Sequence, residues 1–180
     1  KLSNIIPFLI NNKIDIESDA EYENKINTYR NINLEVFDSS AKYEHNIDGL
    51  VNFLKGKSVL FVGNSGAGKS TITSKIIGKD LKTAALSNNH GVHTTSISSL
   101  YELEDNTKII DSPGMRDIEL NNYKNREIIN GFQEILIASK NCKFSDCNHI
   151  NNEGCFVMKS LENGQINESR YNNFIKFRDN

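Results

Sequence analysis

Short apolar runs recur along the chain, and each is followed by polar residues of the kinds that form turns. Four of these runs have the length and composition typical of strands: Ile5–Ile10, Leu34–Phe37, Val59–Val62 and Ile109–Ile110. Several of them lead into segments in which apolar residues keep helical spacing. Since strands that alternate with helices build βα units, we predict an α/β fold with a mostly parallel sheet and flanking helices.

Helical spacing is clearest in three further segments. Asp48–Leu54 carries its apolar side chains on one face and precedes the third strand. From Asn122 to Lys140 the spacing predicts one continuous helix, and Glu168–Phe177 predicts a helix that closes the chain. We expect a main domain over residues 1–120 and a small helical domain over residues 121–180.

Composition limits the possible size and location of the protein. With 180 residues, of which 37% are hydrophobic, the chain can form one compact domain plus a small appendage. The net charge of -2 gives no global attraction to nucleic acid, so an RNA contact would need a local patch. No apolar stretch approaches the roughly 18 residues of a membrane span, and the N-terminus lacks the layout of a signal peptide. We predict a soluble, cytoplasmic protein that does not enter a membrane.

A glycine-rich loop connects the third predicted strand to the helical pattern of Ile72–Ile77. Its sequence fits G-x-x-x-x-G-K-[ST] and runs Gly63-Asn64-Ser65-Gly66-Ala67-Gly68-Lys69-Ser70-Thr71. Glycines let the backbone N–H groups surround a β-phosphate, Lys69 can reach the β- and γ-phosphates, and Ser70 can ligate Mg²⁺. Apart from a chance glycine-rich turn, the loop indicates a nucleoside triphosphate, although it does not identify the base.

A second motif bears on which base is bound. It is Asn12-Lys13-Ile14-Asp15, which follows the first strand and fits N-K-x-D. A carboxylate at Asp15 can accept from the ring N1–H and the 2-amino group of guanine, a donor pair that adenine lacks, while Lys13 packs along the base. A solvated turn at a strand end is the alternative. After the next strand, Ser39-Ser40-Ala41-Lys42 resembles the S-A-K element whose backbone N–H faces the guanine 6-oxygen, which adds Ser40 and Ala41 to the predicted site. Together the two elements predict GTP and GDP as ligands.

Two elements after the phosphate loop complete the predicted site. Asp111-Ser112-Pro113-Gly114 fits D-x-x-G, in which the aspartate holds Mg²⁺ through water and the N–H of Gly114 meets the γ-phosphate. Gly91-Val92-His93-Thr94-Thr95 lies where a switch threonine would close over the metal. Either Thr94 or Thr95 could do so, and we favour Thr95. The alternatives are a turn aspartate and a β-rich edge.

The motifs occur in rotated order, because the base motifs precede the phosphate loop and the switches. A permuted chain can keep the same fold when its original termini lie close enough to be joined. Here Asp48–Lys57 would be the joint.

A compact set of metal-binding residues follows the G motifs. The pattern Cys142-x4-Cys147-x-His149-x5-Cys155 contains all three cysteines of the chain. Three thiolates and one imidazole complete a tetrahedral shell around Zn²⁺ and leave no open position, which is typical of a structural metal. The alternative is three buried or spare cysteines and a surface histidine. Zinc would stabilise a tail that is too small to have a large core.

These motifs together resemble the circularly permuted GTPases of the RsgA or YjeQ family, which depend on the small ribosomal subunit. The likeness covers almost the whole chain, from Asn12–Asp15 to the helix after the cysteines. It implies GTP hydrolysis with Mg²⁺, stimulation by the 30S subunit and its 16S rRNA, and a role in late 30S maturation. We expect a monomer.

The resemblance also concerns the catalytic water. Met115 occupies the place of the water-positioning glutamine of Ras-like enzymes, and His93 matches the histidine of the family's switch region. An imidazole at His93 could orient the attacking water, whereas the alternative is a loop histidine with no catalytic task. Since the transition state is stabilised mainly by charge, we expect Lys69 and Mg²⁺ to matter more than any base.

Two departures from the family affect the prediction. Nothing before Lys1 supplies the family's N-terminal OB-fold, and the strand that usually lies between the phosphate-loop strand and the base-motif strand has no counterpart before Ile5. We expect the sequence to be a fragment, because unpaired strand edges are an aggregation hazard. Two other functions stay open: a P-loop ATPase, and a non-catalytic ribosome-binding module with a decayed nucleotide site.

Overall fold

A computed structural model describes residues 5–83, 99–112 and 125–179 of the chain. The chain divides into two compact units, Lys1–Ile118 and Glu119–Asn180. Across the described ranges, no helix combines the length and the apolar character that crossing a membrane requires.

The first unit alternates strands and helices. Its elements in chain order are β1 (Phe8–Asn12), α1 (Ala20–Asn31), β2 (Glu35–Ser39), α2 (Ile47–Leu54), β3 (Ser58–Phe61), α3 (Lys69–Thr83), β4 (Ser99–Glu102) and β5 (Lys108–Asp111). The second unit is helical in its described part. Its elements are α4 (Asn125–Ile128), a 3-10 turn (Ile129–Gly131), α5 (Gln133–Ser139), α6 (Phe156–Glu162) and α7 (Glu168–Arg178).

The described strands of the first unit form two sheets. β1 pairs with β2 in parallel, with Asn12 opposite Ser39 at the carboxyl ends. β3 pairs with β5 in parallel, with Phe61 opposite Asp111, and β4 adds to β5 in the antiparallel direction. Within the described residues β1 and β3 are not paired with each other. The base-motif strand and the phosphate-loop strand therefore belong to different sheets.

The two sheets nevertheless share one hydrophobic core. Phe8 of β1 lies against Phe61 of β3, with ring centroids 6.5 Å apart, and against Phe53 of α2 at 5.4 Å. The buried members of this core are Ala41, Ile47, Leu50, Leu54, Val59, Phe61, Ile72, Ile76 and Ile109. Helices α2 and α3 thus cover the face to which both sheets contribute aromatic side chains, as burial of apolar surface requires.

A buried threonine holds the segment Asp48–Lys57, which is the predicted joint of the permuted chain. Thr107, which is 1% exposed, precedes β5. Its hydroxyl accepts a hydrogen bond from the N–H of Gly56 at 2.9 Å and donates to the carbonyl of Leu54 at 3.3 Å. Leu54 ends α2, and Gly56 lies in the connection from α2 to β3. This connection is therefore held against the β4–β5 hairpin.

Some predicted boundaries are wrong at the strand ends. β1 begins at Phe8, because Ile5 and Ile6 are each 78% exposed and do not join the sheet, and it continues through the polar residues to Asn12. β3 ends at Phe61, so Val62 lies outside it. A run of apolar residues indicates which residues tend to be buried. The ends of a strand depend instead on the neighbouring strand with which it pairs.

The predicted continuous helix of residues 122–140 is also wrong. Its described part is divided into α4, the 3-10 turn and α5, and Phe132 between them has φ −126° and ψ 74°. Gly131, with its low helix propensity, lies at the break. The structure also contains β4, for which the apolar runs gave no strand prediction. The closing helix, predicted as Glu168–Phe177, is confirmed as Glu168–Arg178.

Candidate nucleotide-binding site and metal centre

The side chain of Asn12 joins three segments at the carboxyl end of β1. Its Nδ2 donates to the carbonyl of Ala67 in the glycine-rich loop at 3.0 Å, and its Oδ1 accepts from the N–H of Ala41 at 3.1 Å. The base motif, the phosphate loop and the S-A-K element therefore meet at one amide. The N–H of Ala41 is thus engaged within the protein, and its contact with the guanine 6-oxygen stays a prediction.

The other residues of the base motif are oriented by two more hydrogen bonds. Lys13, with φ 68°, extends its ammonium to the carbonyl of Gly66 at 2.8 Å. Asp15 is exposed, and its Oδ1 accepts from the hydroxyl of the buried Ser40 at 2.5 Å. Ser40 therefore restrains a carboxylate that faces solvent, which is the arrangement that recognition of two donors on a base needs.

Asn11 and Tyr22 fix the end of β1, and neither was singled out by the sequence. The buried Asn11 donates from Nδ2 to Asp38 at 2.8 Å and accepts at Oδ1 from the Tyr22 hydroxyl at 2.6 Å. Arg30 in turn donates to both oxygens of Asp38, at 2.7 and 2.6 Å. No local motif could have revealed this network, because its members come from three different elements.

The glycine-rich loop has the backbone conformation that glycines permit. Gly66 and Gly68 have φ values of 80° and 94°, in a region that L side chains rarely adopt. A Cβ on Gly68 would also lie 2.3 Å from Nδ2 of Asn12, which is too close for any real contact. Lys69 begins α3, and its ammonium donates to the carbonyls of Gly63 at 2.8 Å and Asn64 at 3.1 Å. The lysine therefore lies over the loop.

Asp111 ends β5 beside the strand that leads into the loop. It is 2% exposed, and its Oδ1 is buried without a hydrogen-bond partner among the described residues. Ser112 next to it donates its hydroxyl to the carbonyl of Phe61 at 2.5 Å. Since burying an unsatisfied carboxylate oxygen is unfavourable, Asp111 fits a position that faces a cation or its bound water.

The switch residues predicted from the sequence lie outside the described residues. These are His93, Thr94, Thr95, Gly114 and Met115. Their assignments stay predictions.

The four predicted metal ligands converge in the second unit. The ligand atoms of Cys142, Cys147, His149 and Cys155 all lie within 4.8 Å of one another. The Nδ1 of His149 is 3.7 Å from the sulfur of Cys142 and 3.9 Å from the sulfur of Cys155. Cys142 and Cys155 are 13 residues apart in the sequence, and Cys155 lies at the start of α6. These residues could hold a metal ion.

The start of α6 supports the sulfur atoms of two ligands. Cys155 caps this helix and accepts at Sγ from the N–H of Met158 at 3.4 Å, while the N–H of Phe156 approaches Sγ of Cys142 at 3.4 Å. Burial opposes ionisation of Cys142, yet the N–H groups of Val157 and Phe156 bring the pKa of its thiol below the ordinary value. Thiolates are the form that binds metal, so the helix terminus favours the ligand state at this position.

The two remaining ligands differ in their proton affinity. Burial raises the pKa of the Cys147 thiol to about 11. Burial, and after it the charge of Arg178, lowers the pKa of His149. Both effects disfavour the protonated imidazole, which cannot be a ligand, whereas Cys147 must give up a proton when a metal binds.

Comparisons with known proteins agree with this geometry. The family model of the RsgA GTPase matches residues 1–121. The chain belongs to the RsgA GTPase family. Among curated relatives, the Small ribosomal subunit biogenesis GTPase RsgA of Haemophilus influenzae strain PittEE is 33% identical over 184 residues, which cover 97% of this chain and 52% of the relative. The Small ribosomal subunit biogenesis GTPase RsgA 2 of Bacteroides thetaiotaomicron is 35% identical over 173 residues, 93% of this chain and 56% of the relative.

Solved structures of the same family confirm the predicted fold class. YjeQ from Thermotoga maritima is 30% identical with a TM-score of 0.72, over 94% of this chain and 58% of that one. YloQ, described as a circularly permuted GTPase, is 25% identical with a TM-score of 0.70, over 96% of this chain and 56% of that one. The resemblance inferred from the motifs and their permuted order is therefore confirmed. The chain spans about half the length of the RsgA relatives that it matches.

Proposed function

We propose that this chain binds and hydrolyses GTP and acts in late maturation of the small (30S) ribosomal subunit. The observation that carries the proposal is the convergence of the base motif, the S-A-K element and the phosphate loop on the side chain of Asn12. Membership of the RsgA GTPase family supports it, and so do the names of relatives that are described as small ribosomal subunit biogenesis GTPases.

Each residue of the site has a distinct task in this function. Asp15, held by Ser40, accepts the N1–H and 2-amino protons of guanine, while Lys13 lines the base. The backbone N–H groups from Gly63 to Thr71 surround the phosphates, and Lys69 leaves the carbonyls of its own loop to meet the β- and γ-phosphates. His93 orients the attacking water, and the N–H of Gly114 meets the γ-phosphate.

Magnesium belongs to the substrate complex in this proposal. Ser70 and Thr95 would ligate Mg²⁺ directly, and the buried Asp111 would hold it through water. When bound there, the ion would supply positive charge to the phosphate oxygens. The unpartnered Oδ1 of Asp111 supports this assignment from the described residues.

The second unit would carry one structural Zn²⁺ on Cys142, Cys147, His149 and Cys155. Zinc bonds of about 2.3 Å to sulfur and about 2.0 Å to nitrogen at tetrahedral angles would separate the two ligand atoms by about 3.5 Å. The sulfur-to-nitrogen separations of 3.7 and 3.9 Å in the structure are slightly longer than this value. A closed shell of four protein ligands supplies folding free energy and leaves no position for a substrate.

We further propose that the protein works as a cytoplasmic monomer that contacts 16S rRNA on the 30S subunit. The first unit would carry the nucleotide chemistry, with a boundary near residue 120, and the second would carry the zinc. RNA contact through a local patch is required, because the net charge of -2 gives no general attraction.

Turnover of GTP with and without purified small ribosomal subunits tests the function. We expect stimulation by the subunits, loss of turnover in Lys69→Ala, and unchanged turnover in the control Lys25→Ala on the exposed side of α1. Asp15→Asn should shift preference from GTP to XTP, because an amide donor suits the 2-oxo group of xanthine. Equal use of ATP would indicate a P-loop ATPase. Nucleotide-independent binding to the subunit without turnover would indicate a non-catalytic binding module.

A further inference from the structure

Helix α7 makes two hydrogen bonds to the loop that carries the metal-ligating histidine. The hydroxyl of Tyr171 donates to the main-chain carbonyl of His149 at 2.7 Å. Nη1 of Arg178, two turns further along the helix, donates to the carbonyl of Asn148 at 2.5 Å. Two consecutive carbonyls of the loop are therefore fixed by side chains that are not themselves ligands.

The loop needs this restraint because of its backbone conformation. His149 has φ 60°, in the left-handed region, which is uncommon for a residue with a side chain. Such conformations persist where the surroundings determine them. The loop supplies part of this order itself, since the N–H of Asn148 donates to Oδ1 of Asn152 at 2.9 Å and the N–H of Ile150 donates to Oδ1 of Asn148 at 2.9 Å.

The helix also packs against the imidazole. Phe174 is 2% exposed, and its ring centroid lies 6.3 Å from that of His149. The Tyr171 side chain is buried on the same helix. α7 therefore holds the main chain of His149 by one hydrogen bond and limits the space of its ring by an aromatic contact, while the Nδ1 of the ring faces the sulfur atoms.

We propose that Tyr171 and Arg178 are positioning residues for the metal centre, which hold His149 in its ligating conformation and so control how slowly the metal is released. The inference rests on the proposed metal centre but is independent of GTP hydrolysis. It gives α7 a role in metal binding, although none of the four ligands lies on this helix. It also means that binding of the metal and docking of α7 support each other, because both restrain the same loop.

The test is the rate at which the intact, zinc-loaded chain gives up zinc to an excess of a chromogenic chelator. We expect release to be about fivefold faster in Tyr171→Phe, since the loss of one hydrogen bond of ordinary strength corresponds to a factor of about five in rate. Arg178→Gln should also release zinc faster. Lys176→Gln, an exposed charge on the same helix, and Tyr43→Phe, an exposed tyrosine of the first unit, should release zinc at the unaltered rate.

A second readout separates positioning from general stability. With Co²⁺ in place of zinc, the visible d–d bands report the geometry of the ligands around the metal. We expect these bands to change in Tyr171→Phe and Arg178→Gln at temperatures at which both variants are folded, and to stay unchanged in Lys176→Gln. A purely structural role of α7 would leave the bands of the folded variants unaltered.

The possible failures are distinguishable. If the unaltered chain takes up neither zinc nor cobalt, the metal centre itself is wrong and the inference falls with it. If the metal binds but both variants match the unaltered chain in release rate and cobalt spectrum, Tyr171 and Arg178 do not position His149. GTP turnover enters neither outcome.

Discussion

The amide of Asn12 is predicted to couple the two halves of the nucleotide site. In Asn12→Ala both of its hydrogen bonds are lost, the donation to Ala67 at 3.0 Å and the acceptance from Ala41 at 3.1 Å. At about 1 kcal/mol for each bond, the variant loses about 2 kcal/mol of support for the binding arrangement. If this arrangement is the one that binds nucleotide, the dissociation constant for GDP rises about 30-fold.

Fluorescence titration with an N-methylanthraniloyl derivative of GDP in the presence of Mg²⁺ measures this change. Asn12→Asp provides a sharper comparison, because it keeps an acceptor for the N–H of Ala41 but turns an oxygen toward the carbonyl of Ala67. Its loss should be at least as large as that of Asn12→Ala. Asn52→Ala, on the exposed side of α2, is the matched control and should bind as the unaltered chain does.

The reasoning is refuted by one clear result. If Asn12→Ala binds GDP within about threefold of the Asn52→Ala control, the lost hydrogen bonds do not contribute the expected 2 kcal/mol to the binding arrangement. A normal far-ultraviolet circular dichroism spectrum of each variant shows that a loss of affinity is not a loss of folding.

Three further predictions concern packing, stability and pH. Gly68→Ala places a Cβ 2.3 Å from the amide of Asn12 and should weaken GDP binding more than tenfold in the same titration. The control Gly78→Ala, whose Cβ meets nothing within 4 Å, should leave GDP binding unchanged. Equal affinities of the two variants would contradict this prediction. Thr107→Val removes the hydrogen bonds to Gly56 and Leu54 and should lower the free energy of unfolding by about 1–3 kcal/mol in urea titrations. An unchanged midpoint of unfolding would contradict this prediction. Because burial raises the pKa of the Cys147 thiol to about 11, metal binding there releases a proton. The affinity for zinc, measured by chelator competition, should therefore fall from pH 8 to pH 6. A constant affinity would argue against a protonated Cys147.

Local motifs were predictable from the sequence, because their chemistry depends on spacing within a few residues. The glycine-rich loop lies between β3 and α3 as predicted, and the four metal ligands converge. In both cases a short segment is enough to bring the functional atoms together. The permuted order of the G motifs was also readable, since it concerns only the succession of these segments.

Features that depend on distant partners were not predictable. Ile5 and Ile6 look like part of a strand but do not join the sheet, and Gly131 interrupts what looks like one helix. The tasks of Tyr22 and Tyr171 depend on Asn11 and on a loop carbonyl that lie 11 and 22 residues away. No pattern in the sequence indicates such a contact, because it is created only when the elements pack.

The side-chain contacts between the end of β1 and the phosphate loop have a mechanical consequence. The base-reading residues lie beyond one sheet and the phosphate loop beyond the other, and the two sheets are connected by aromatic packing and by the side chains of Asn12 and Lys13. In the proposed function a guanine nucleotide would contact both the base motif and the phosphate loop, so part of its binding energy would restrain the two sheets relative to each other. Amide hydrogen exchange should therefore slow in both sheets at once when GDP binds, including in strands that never touch the ligand.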